Sequence, residues 1–214
     1  MMNVKEIKNK VIHGNCIKIM QELPPGSVDI ILTDPPYKNE DIKGLGAFKG
    51  DYYKWLRNWL YWAERAASEY TIFFNGPTRL SRVIQECGEP YRIIMWIKGV
   101  VKYPWRWEPI FIYRHPTNGN SFSLNRKIWS DTLPYQPLHS KQVDRKYQKP
   151  IKLMDHLIRY IPKGMTVMDP FCGTGQTLIA CKKAGLDYIG IDTDKEACKL
   201  AKKRLAETEV EKCE

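Results

Sequence analysis

Short segments rich in apolar, β-branched and aromatic residues alternate with helix-like segments along most of this 214-residue chain. The pattern predicts strands at residues 11–13, 28–32, 71–74, 92–97, 110–113, 166–168 and 188–191. It predicts helices at residues 16–22, 55–66 and 150–160, and from residue 194 onward. This alternation indicates an α/β fold, in which a mostly parallel sheet carries helices on both faces. We expect residues 1–214 to form a single domain.

The composition of the chain limits which partners it could bind and in which cellular compartment it could function. Lys and Arg total 34 against 24 Asp and Glu, and the formal net charge of +10 favours a polyanionic partner. The six cysteines form no C-x-x-C pair and the four histidines have no ligand spacing, so we expect reduced thiols and no metal site. The charged amino terminus lacks the apolar stretch of a signal peptide, and no apolar run approaches ~18 residues. We therefore predict a soluble, cytoplasmic protein with no membrane segment.

A glycine-containing turn, DPFCGTG at residues 169–175, follows the predicted strand 166–168 and opens a helix. Gly173 and Gly175 allow the backbone to turn sharply and to approach a ligand closely. Asp192 lies 17 positions after Gly175, directly after the next strand, near the spacing at which an acid accepts hydrogen bonds from ribose hydroxyls. Turn, helix, strand and acid together predict a nucleoside-containing cofactor.

Two classes of cofactor fit this turn, the dinucleotides and S-adenosylmethionine. A dinucleotide site requires a third glycine for close helix packing, and Leu178 stands in its place. S-adenosylmethionine, which has no pyrophosphate, fits better. The carboxylate of Asp169 could then pair with the ammonium group of the methionyl moiety.

A second unusual segment, TDPPY at residues 33–37, follows the apolar strand 28–32. The two prolines hold the backbone extended and cannot donate hydrogen bonds, so the segment presents acceptors outward. The Asp34 carboxylate and the Pro35 carbonyl could each accept one hydrogen of the same amino group, beside the flat ring of Tyr37. Holding both hydrogens favours the pyramidal amine, whose lone pair can attack an electrophile.

These segments resemble those of the amino-methylating DNA methyltransferases, which transfer a methyl group from S-adenosylmethionine to adenine N6 or cytosine N4. The catalytic motif precedes the cofactor motif, as in the β-type members, which implies a Rossmann-like methyltransferase fold with permuted motif order. The resemblance covers nearly the whole chain, over residues 13–16, 27–37, 107–109, 148–150, 168–175, 188–194 and 203–205.

The resemblance also implies roles for individual residues. The catalytic residues would be Asp34, Pro35, Pro36 and Tyr37, with Tyr37 stacking on a base flipped out of double-stranded DNA. The cofactor site would be formed by Asn15, Lys149, Asp169, Phe171, Gly173, Gly175 and Asp192, with residues 148–150 near the methionine end. Adenine enzymes carry Asp at the head of the Pro-Pro-Tyr segment more often than cytosine enzymes do, which favours adenine N6.

A short insert at residues 99–147 is the candidate region for target recognition. It combines aromatic and basic residues that could stack on bases and neutralise phosphates. The residues predicted to contact nucleic acid are Arg106, Lys141, Arg145 and Lys146.

Several alternatives remain open at this point. The target could be cytosine N4, or the amino group of guanine in RNA. A dinucleotide-binding oxidoreductase and a non-catalytic DNA-binding subunit are hypotheses of a different class. A homodimer is also compatible with the sequence.

Overall fold

A computed structural model of the protein describes residues 2–37, 50–99, 105–115, 130–138 and 148–210. Its strands are β1 (Lys10–His13), β2 (Val28–Thr33), β3 (Ala67–Phe74), β4 (Arg92–Ile97), β5 (Trp107–Arg114), β6 (Thr132–Pro134), β7 (Thr166–Asp169) and β8 (Asp187–Asp192). Its α-helices are α1 (Val4–Ile7), α2 (Cys16–Glu22), α3 (Tyr52–Ala66), α4 (Leu80–Cys87), α5 (Ile151–Ile158), α6 (Gln176–Lys183) and α7 (Lys195–Ala206), and a 3₁₀ turn spans Pro77–Arg79.

All eight strands belong to one sheet in the order β1-β8-β7-β2-β3-β5-β4-β6. Strand β5 runs antiparallel to both of its neighbours, β3 and β4, whereas the other neighbouring strands are parallel. The predicted α/β fold with a mostly parallel sheet is therefore confirmed. The parallel strands β1, β8, β7 and β2 place their carboxyl ends along the same edge, where ligands of such sheets bind.

Helices cover both faces of the sheet, as predicted. Successive residues of β2 alternate between the two sides, so that Ile30 packs in one hydrophobic cluster and Ile31 in the other. The first cluster includes Leu157 of α5 and Leu178 of α6, and the second includes Trp59 of α3. All five side chains are fully buried. The sheet is thus the middle layer of a three-layer fold, which explains why its central strands are apolar on both sides.

Gly190 explains how α6 packs closely on the sheet even though Leu178 replaces a helix glycine. A Cβ atom added at Gly190 would lie 2.4 Å from Leu178 Cδ1 and 3.1 Å from Cys172 Sγ. Both of those side chains are buried. The glycine that makes room for the helix is therefore on strand β8 and not on the helix itself.

The sequence patterns missed some elements. Helix α4 has Leu80, Val83, Ile84 and Cys87 at helical spacing, a signal that could have found it. Strand β6 has only three residues and α1 only four, too few for a recognisable period. Strand β3 begins at Ala67, directly after α3, and not at the predicted residue 71.

The predicted insert, residues 99–147, requires a correction. Strands β5 and β6 lie within it, and both are integral to the sheet because β5 pairs with β3 and β4 and β6 pairs with β4. Residues 107–114 and 132–134 are therefore part of the core fold and not of an appended region. The remaining segments 100–104, 116–129 and 139–147 lie outside the described residues. Within the described ranges, no helix has both the length and the apolar character needed to cross a bilayer.

Candidate active site

The two motifs lie side by side at the carboxyl edge of the sheet. Strands β2 and β7 are parallel neighbours, with Ile30 opposite Val167 and Ile31 opposite Met168. The TDPPY segment therefore begins where β2 ends, next to the DPFCGTG turn that follows β7. A buried hydrogen bond from Thr33 Oγ1 to Asp169 Oδ1, 2.6 Å long, joins the two segments. The structure thus brings together two sequence segments separated by more than a hundred residues.

The glycine turn is held by hydrogen bonds to Asp192. Its Oδ2 accepts a hydrogen bond from Gly173 N at 2.8 Å, and its Oδ1 accepts one from Asp194 N at 2.8 Å. Gly173 and Gly175 have φ values of +49° and +87°, a backbone conformation that residues other than glycine rarely adopt. Apart from its two chain neighbours, no described residue has an atom within 4 Å of a Cβ placed on Gly173, so the backbone there borders open space. This open turn fits the close approach of a nucleoside cofactor.

Asp169 is a buried carboxyl group at the centre of this edge. Its Oδ1 accepts hydrogen bonds from Thr33 Oγ1 and from Phe171 N, at 2.6 Å and 3.1 Å. Burial raises the pKa of Asp169 to about 6, because these hydrogen bonds offset only part of the cost of desolvating the charge. A bound ammonium group would compensate that charge, which fits the predicted contact with a methionyl group.

Phe171 and Asn15 flank the turn. The ring centroid of Phe171 lies 5.9 Å from that of Trp55 and 5.7 Å from that of Trp59, so helix α3 fixes its position. Asn15 is the N-cap of α2, and its side chain accepts a hydrogen bond from Lys18 N at 3.2 Å. It follows β1, whose last residue pairs with Asp192. Both residues therefore lie along the predicted cofactor edge, and their contact with the cofactor stays a prediction.

The predicted catalytic segment is only partly open. Pro35 is buried and Pro36 is exposed, while the Asp34 side chain is 30% exposed and can be reached from outside. Tyr37 is half-buried, and its hydroxyl donates a hydrogen bond to Asp34 Oδ1 at 2.7 Å. Burial, followed by the charge of Asp34, raises the pKa of Tyr37 well above its usual value, so the hydroxyl remains a proton donor.

Lys149 contacts this predicted catalytic segment, although the sequence prediction assigned it to the cofactor site. Its ammonium donates to Asp34 Oδ2 at 2.8 Å and to Tyr37 Oη at 3.1 Å, and it lies 3.2 Å from Glu108 Oε2. Burial alone would lower the pKa of Lys149, but the two carboxylates outweigh it and its pKa is raised. Gln176 helps to fix the position of Lys149. Its Nε2 donates a hydrogen bond to the Lys149 carbonyl at 3.1 Å and so connects the Lys149 backbone to the glycine turn.

Glu108 and Lys98 complete a buried charge network that sequence reasoning missed. Glu108 lies on β5 and forms ion pairs with Lys98 and Lys149. Burial opposes the charge of Glu108, but the two lysines outweigh it and lower its pKa. Burial also raises the pKa of Asp34, with Lys149 opposing the shift. The only sequence signal was that Glu108 falls in the segment 107–109, which had been matched to the family without a role.

The predicted nucleic-acid contacts are described only in part. Arg106 is exposed at the start of β5, and its carbonyl accepts a hydrogen bond from Lys98 N at 2.7 Å. Lys141, Arg145 and Lys146 lie outside the described residues. Their role remains a prediction.

Comparison with known proteins supports the family that the motifs resemble. Residues 105–203 match the family described as DNA methylase. The chain is 24% identical to the Type II methyltransferase M.BamHI of Bacillus amyloliquefaciens, over 98% of its own length and 62% of that of the relative. These similarities support a β-type amino-group DNA methyltransferase.

Solved structures agree with the observed fold. The chain is similar to the putative DNA modification methylase TTHA0409 from Thermus thermophilus, determined in complex with S-adenosyl-L-methionine, with a TM-score of 0.71 and 20% identity over 96% of this chain and 98% of the other. It is also similar to the cytosine-N4-specific PvuII DNA methyltransferase, with a TM-score of 0.72 and 14% identity over 91% and 85% of the two chains. The structure of M1.HpyAVI in complex with S-adenosylmethionine is also similar, with a TM-score of 0.62 and 24% identity over 92% of this chain and 99% of the other.

The protonation of Asp169 predicts how cofactor binding depends on pH. Because the free carboxyl group has its pKa raised to about 6, and an ammonium group binds only the carboxylate, binding must remove a proton at lower pH. Affinity for S-adenosylmethionine should be constant above about pH 7 and fall about tenfold between about pH 7 and about pH 5. Titration calorimetry across this pH range measures the dissociation constant of S-adenosylmethionine. The Asp169→Asn variant should bind more weakly with no such slope, and a wild-type affinity that is flat down to pH 5 would refute the pairing.

Proposed function

We propose that this methyltransferase transfers the methyl group of S-adenosylmethionine to N6 of adenine in double-stranded DNA. The observation that carries the proposal is the Thr33–Asp169 hydrogen bond, which joins the acceptor-rich segment to the cofactor turn. An amino group held at Asp34 and a methyl donor held at Gly173 would thus meet at one edge of the sheet.

The residues of the chain would act on the amine and would need no covalent intermediate. The Asp34 carboxylate and the Pro35 carbonyl accept the two amino hydrogens and orient the lone pair along the line of attack. The cofactor supplies a methyl group on a positively charged sulfur. The N–CH₃ bond would form as the S–CH₃ bond of the donor breaks, and Asp34 or water would accept the surplus proton of the methylated amine.

A base in duplex DNA must leave the stack to reach this edge. Flipping costs a few kcal/mol, and stacking on the Tyr37 ring would return about 1–3 kcal/mol of it. The ring lies beside Gly76, where a Cβ would be 3.8 Å from Tyr37 Cδ2, so that residue places no side chain against the ring. The net charge of +10 would favour the DNA backbone, with Arg106, Lys141, Arg145 and Lys146 as candidate contacts.

The choice of adenine rests on Asp34 at the head of the Pro-Pro-Tyr segment. Cytosine N4 is the second candidate, because the cytosine-N4-specific PvuII enzyme shares the fold and because both amines need the same two acceptors. The candidate region for reading the DNA sequence is residues 99–147 outside strands β5 and β6.

Mass analysis of nucleosides tests the proposal directly. Unmethylated genomic DNA, and RNA as a parallel substrate, would be incubated with the protein and labelled S-adenosylmethionine, digested and analysed. The expected product is N6-methyladenine in DNA alone. N4-methylcytosine would favour the second candidate, and a methylated amino group in RNA alone would reject DNA as the substrate.

A further inference from the structure

Both oxygens of the proposed catalytic carboxylate already accept hydrogen bonds from the protein. Tyr37 Oη donates to Asp34 Oδ1 at 2.7 Å, and Lys149 Nζ donates to Asp34 Oδ2 at 2.8 Å. The lysine also neutralises the charge of Asp34. A target amine needs this carboxylate twice, first as an acceptor and then as the counter-charge of the methylated, positively charged nitrogen. Each oxygen could accept a second hydrogen, but the cation and the hydroxyl weaken its attraction for the amine and for the methylated nitrogen, so we expect these two donors to shift from Asp34 when the base arrives.

A single atom, Glu108 Oε2, can receive both donors. It lies 3.2 Å from Tyr37 Oη and 3.2 Å from Lys149 Nζ. The other oxygen of Glu108 is held by Lys98, so the carboxylate is fixed in place on strand β5. Glu108 is buried, and the cost of keeping its charge there would be high without these lysines.

We propose that Glu108 is a positioning residue that takes the Lys149 ammonium and the Tyr37 hydroxyl from Asp34 when the amino group of the target base enters the site. The inference rests on the proposed function, and it adds the step that makes the acceptor available. Glu108 touches neither the base nor the cofactor in this role, and it acts only through Lys149 and Tyr37.

The surroundings of Lys149 allow this exchange without rearrangement of the chain. Its ammonium lies 5.1 Å from the ring centroid of Phe74, 5.2 Å from that of Tyr37 and 5.6 Å from that of Trp96. Aromatic faces attract a cation from any of these directions, so the ammonium can shift between two carboxylates within the same enclosure. The backbone of Lys149 remains tied to Gln176 throughout.

The Glu108→Gln variant isolates this role. Without a competing carboxylate, Lys149 should remain on Asp34, and kcat for DNA methylation should fall about tenfold, the size of one charge-assisted hydrogen bond. The dissociation constant of S-adenosylmethionine should not change. Glu86→Gln is the matched control, because Glu86 is also ion-paired and mostly buried but lies on α4, where it pairs with Arg57 and Arg82. This control should methylate DNA as the wild type does.

The double variant Glu108→Gln/Lys149→Met separates positioning from support of the fold. Methionine fits the aromatic enclosure but does not neutralise Asp34, so the double variant should be faster than Glu108→Gln alone at saturating cofactor. If Glu108 only supported the fold, removing a second charged partner would lower activity further.

Each outcome decides between the two claims. A wild-type protein that methylates no DNA would overturn the proposed function, and this inference with it. A wild-type protein that methylates DNA, together with an unimpaired Glu108→Gln variant or a double variant slower than the single one, would overturn the inference alone. If thermal unfolding shows that Glu108→Gln does not fold, Lys149→Met alone decides. It should retain turnover within about tenfold of wild type, and a far larger loss would show that the lysine is needed for the reaction itself.

Discussion

Replacing Asp34 with alanine is expected to lower the rate of DNA methylation about 10³-fold, the cost of removing a preorganised group that faces developing charge. The variant would lose the proposed acceptor of the amine and the proposed counter-charge of the methylated nitrogen. Cofactor affinity should stay within about threefold of wild type, because the contacts of the glycine turn involve Asp169 and Asp192 instead. Single-turnover methylation and calorimetric titration with S-adenosylmethionine measure the two quantities separately.

Two further variants test whether the loss of activity in Asp34→Ala comes from catalysis or from a loss of the fold. Asp34→Asn keeps the volume and one acceptor oxygen next to Lys149, and should also be severely impaired because the negative charge is gone. Asp187→Ala removes an aspartate that pairs with Lys8 at the start of β8, the opposite end of that strand from Asp192, and should be fully active. Lost cofactor binding with residual turnover in Asp34→Ala would contradict the catalytic assignment.

Local signals were sufficient to predict most of the elements at the site. Strand β4 was predicted with both of its boundaries at residues 92 and 97, because its apolar run is bounded by turn residues. Helix α2 was also predicted in full, since Asn15 caps its first turn and the prolines that follow prevent its continuation. Signals of this kind depend only on neighbours in the chain, which is why they can be read from one sequence.

Strand direction and the charge network required the structure. Strand β5 has the same apolar pattern whether it runs parallel or antiparallel, so its reversed direction left no local signal. The contact between Lys149 and Asp34 joins residues 115 positions apart in the sequence. It forms because the carboxyl end of β2 and the start of α5 meet at the same edge of the sheet. From the sequence, only the resemblance to the family assigned Lys149 to the cofactor site.

Asp192 also combines a role predicted from the sequence with contacts that only the structure shows. Its spacing from the glycines predicted a contact with ribose, whereas its two hydrogen bonds to backbone N–H groups arise from the three-dimensional arrangement of β8 and the turn. A carboxylate oxygen has two lone pairs, so each can accept one hydrogen from the backbone and one from a ribose hydroxyl. Asp192 would then shape the turn and bind the cofactor at once.

Asp192→Ala is accordingly expected to raise the dissociation constant of S-adenosylmethionine about 30-fold, the equivalent of one or two hydrogen bonds to a charged group. The rate at saturating cofactor should change little, because Asp34 and Tyr37 are untouched. Asp192→Asn, which retains one oxygen, should give an intermediate affinity, and Glu196→Ala, which removes an exposed side chain paired with Lys199 on the neighbouring helix, should bind as the wild type does. An unchanged dissociation constant in Asp192→Ala would refute the ribose contact, whereas a lower saturated rate with normal affinity would mean that the turn acts chiefly by orienting the methyl group.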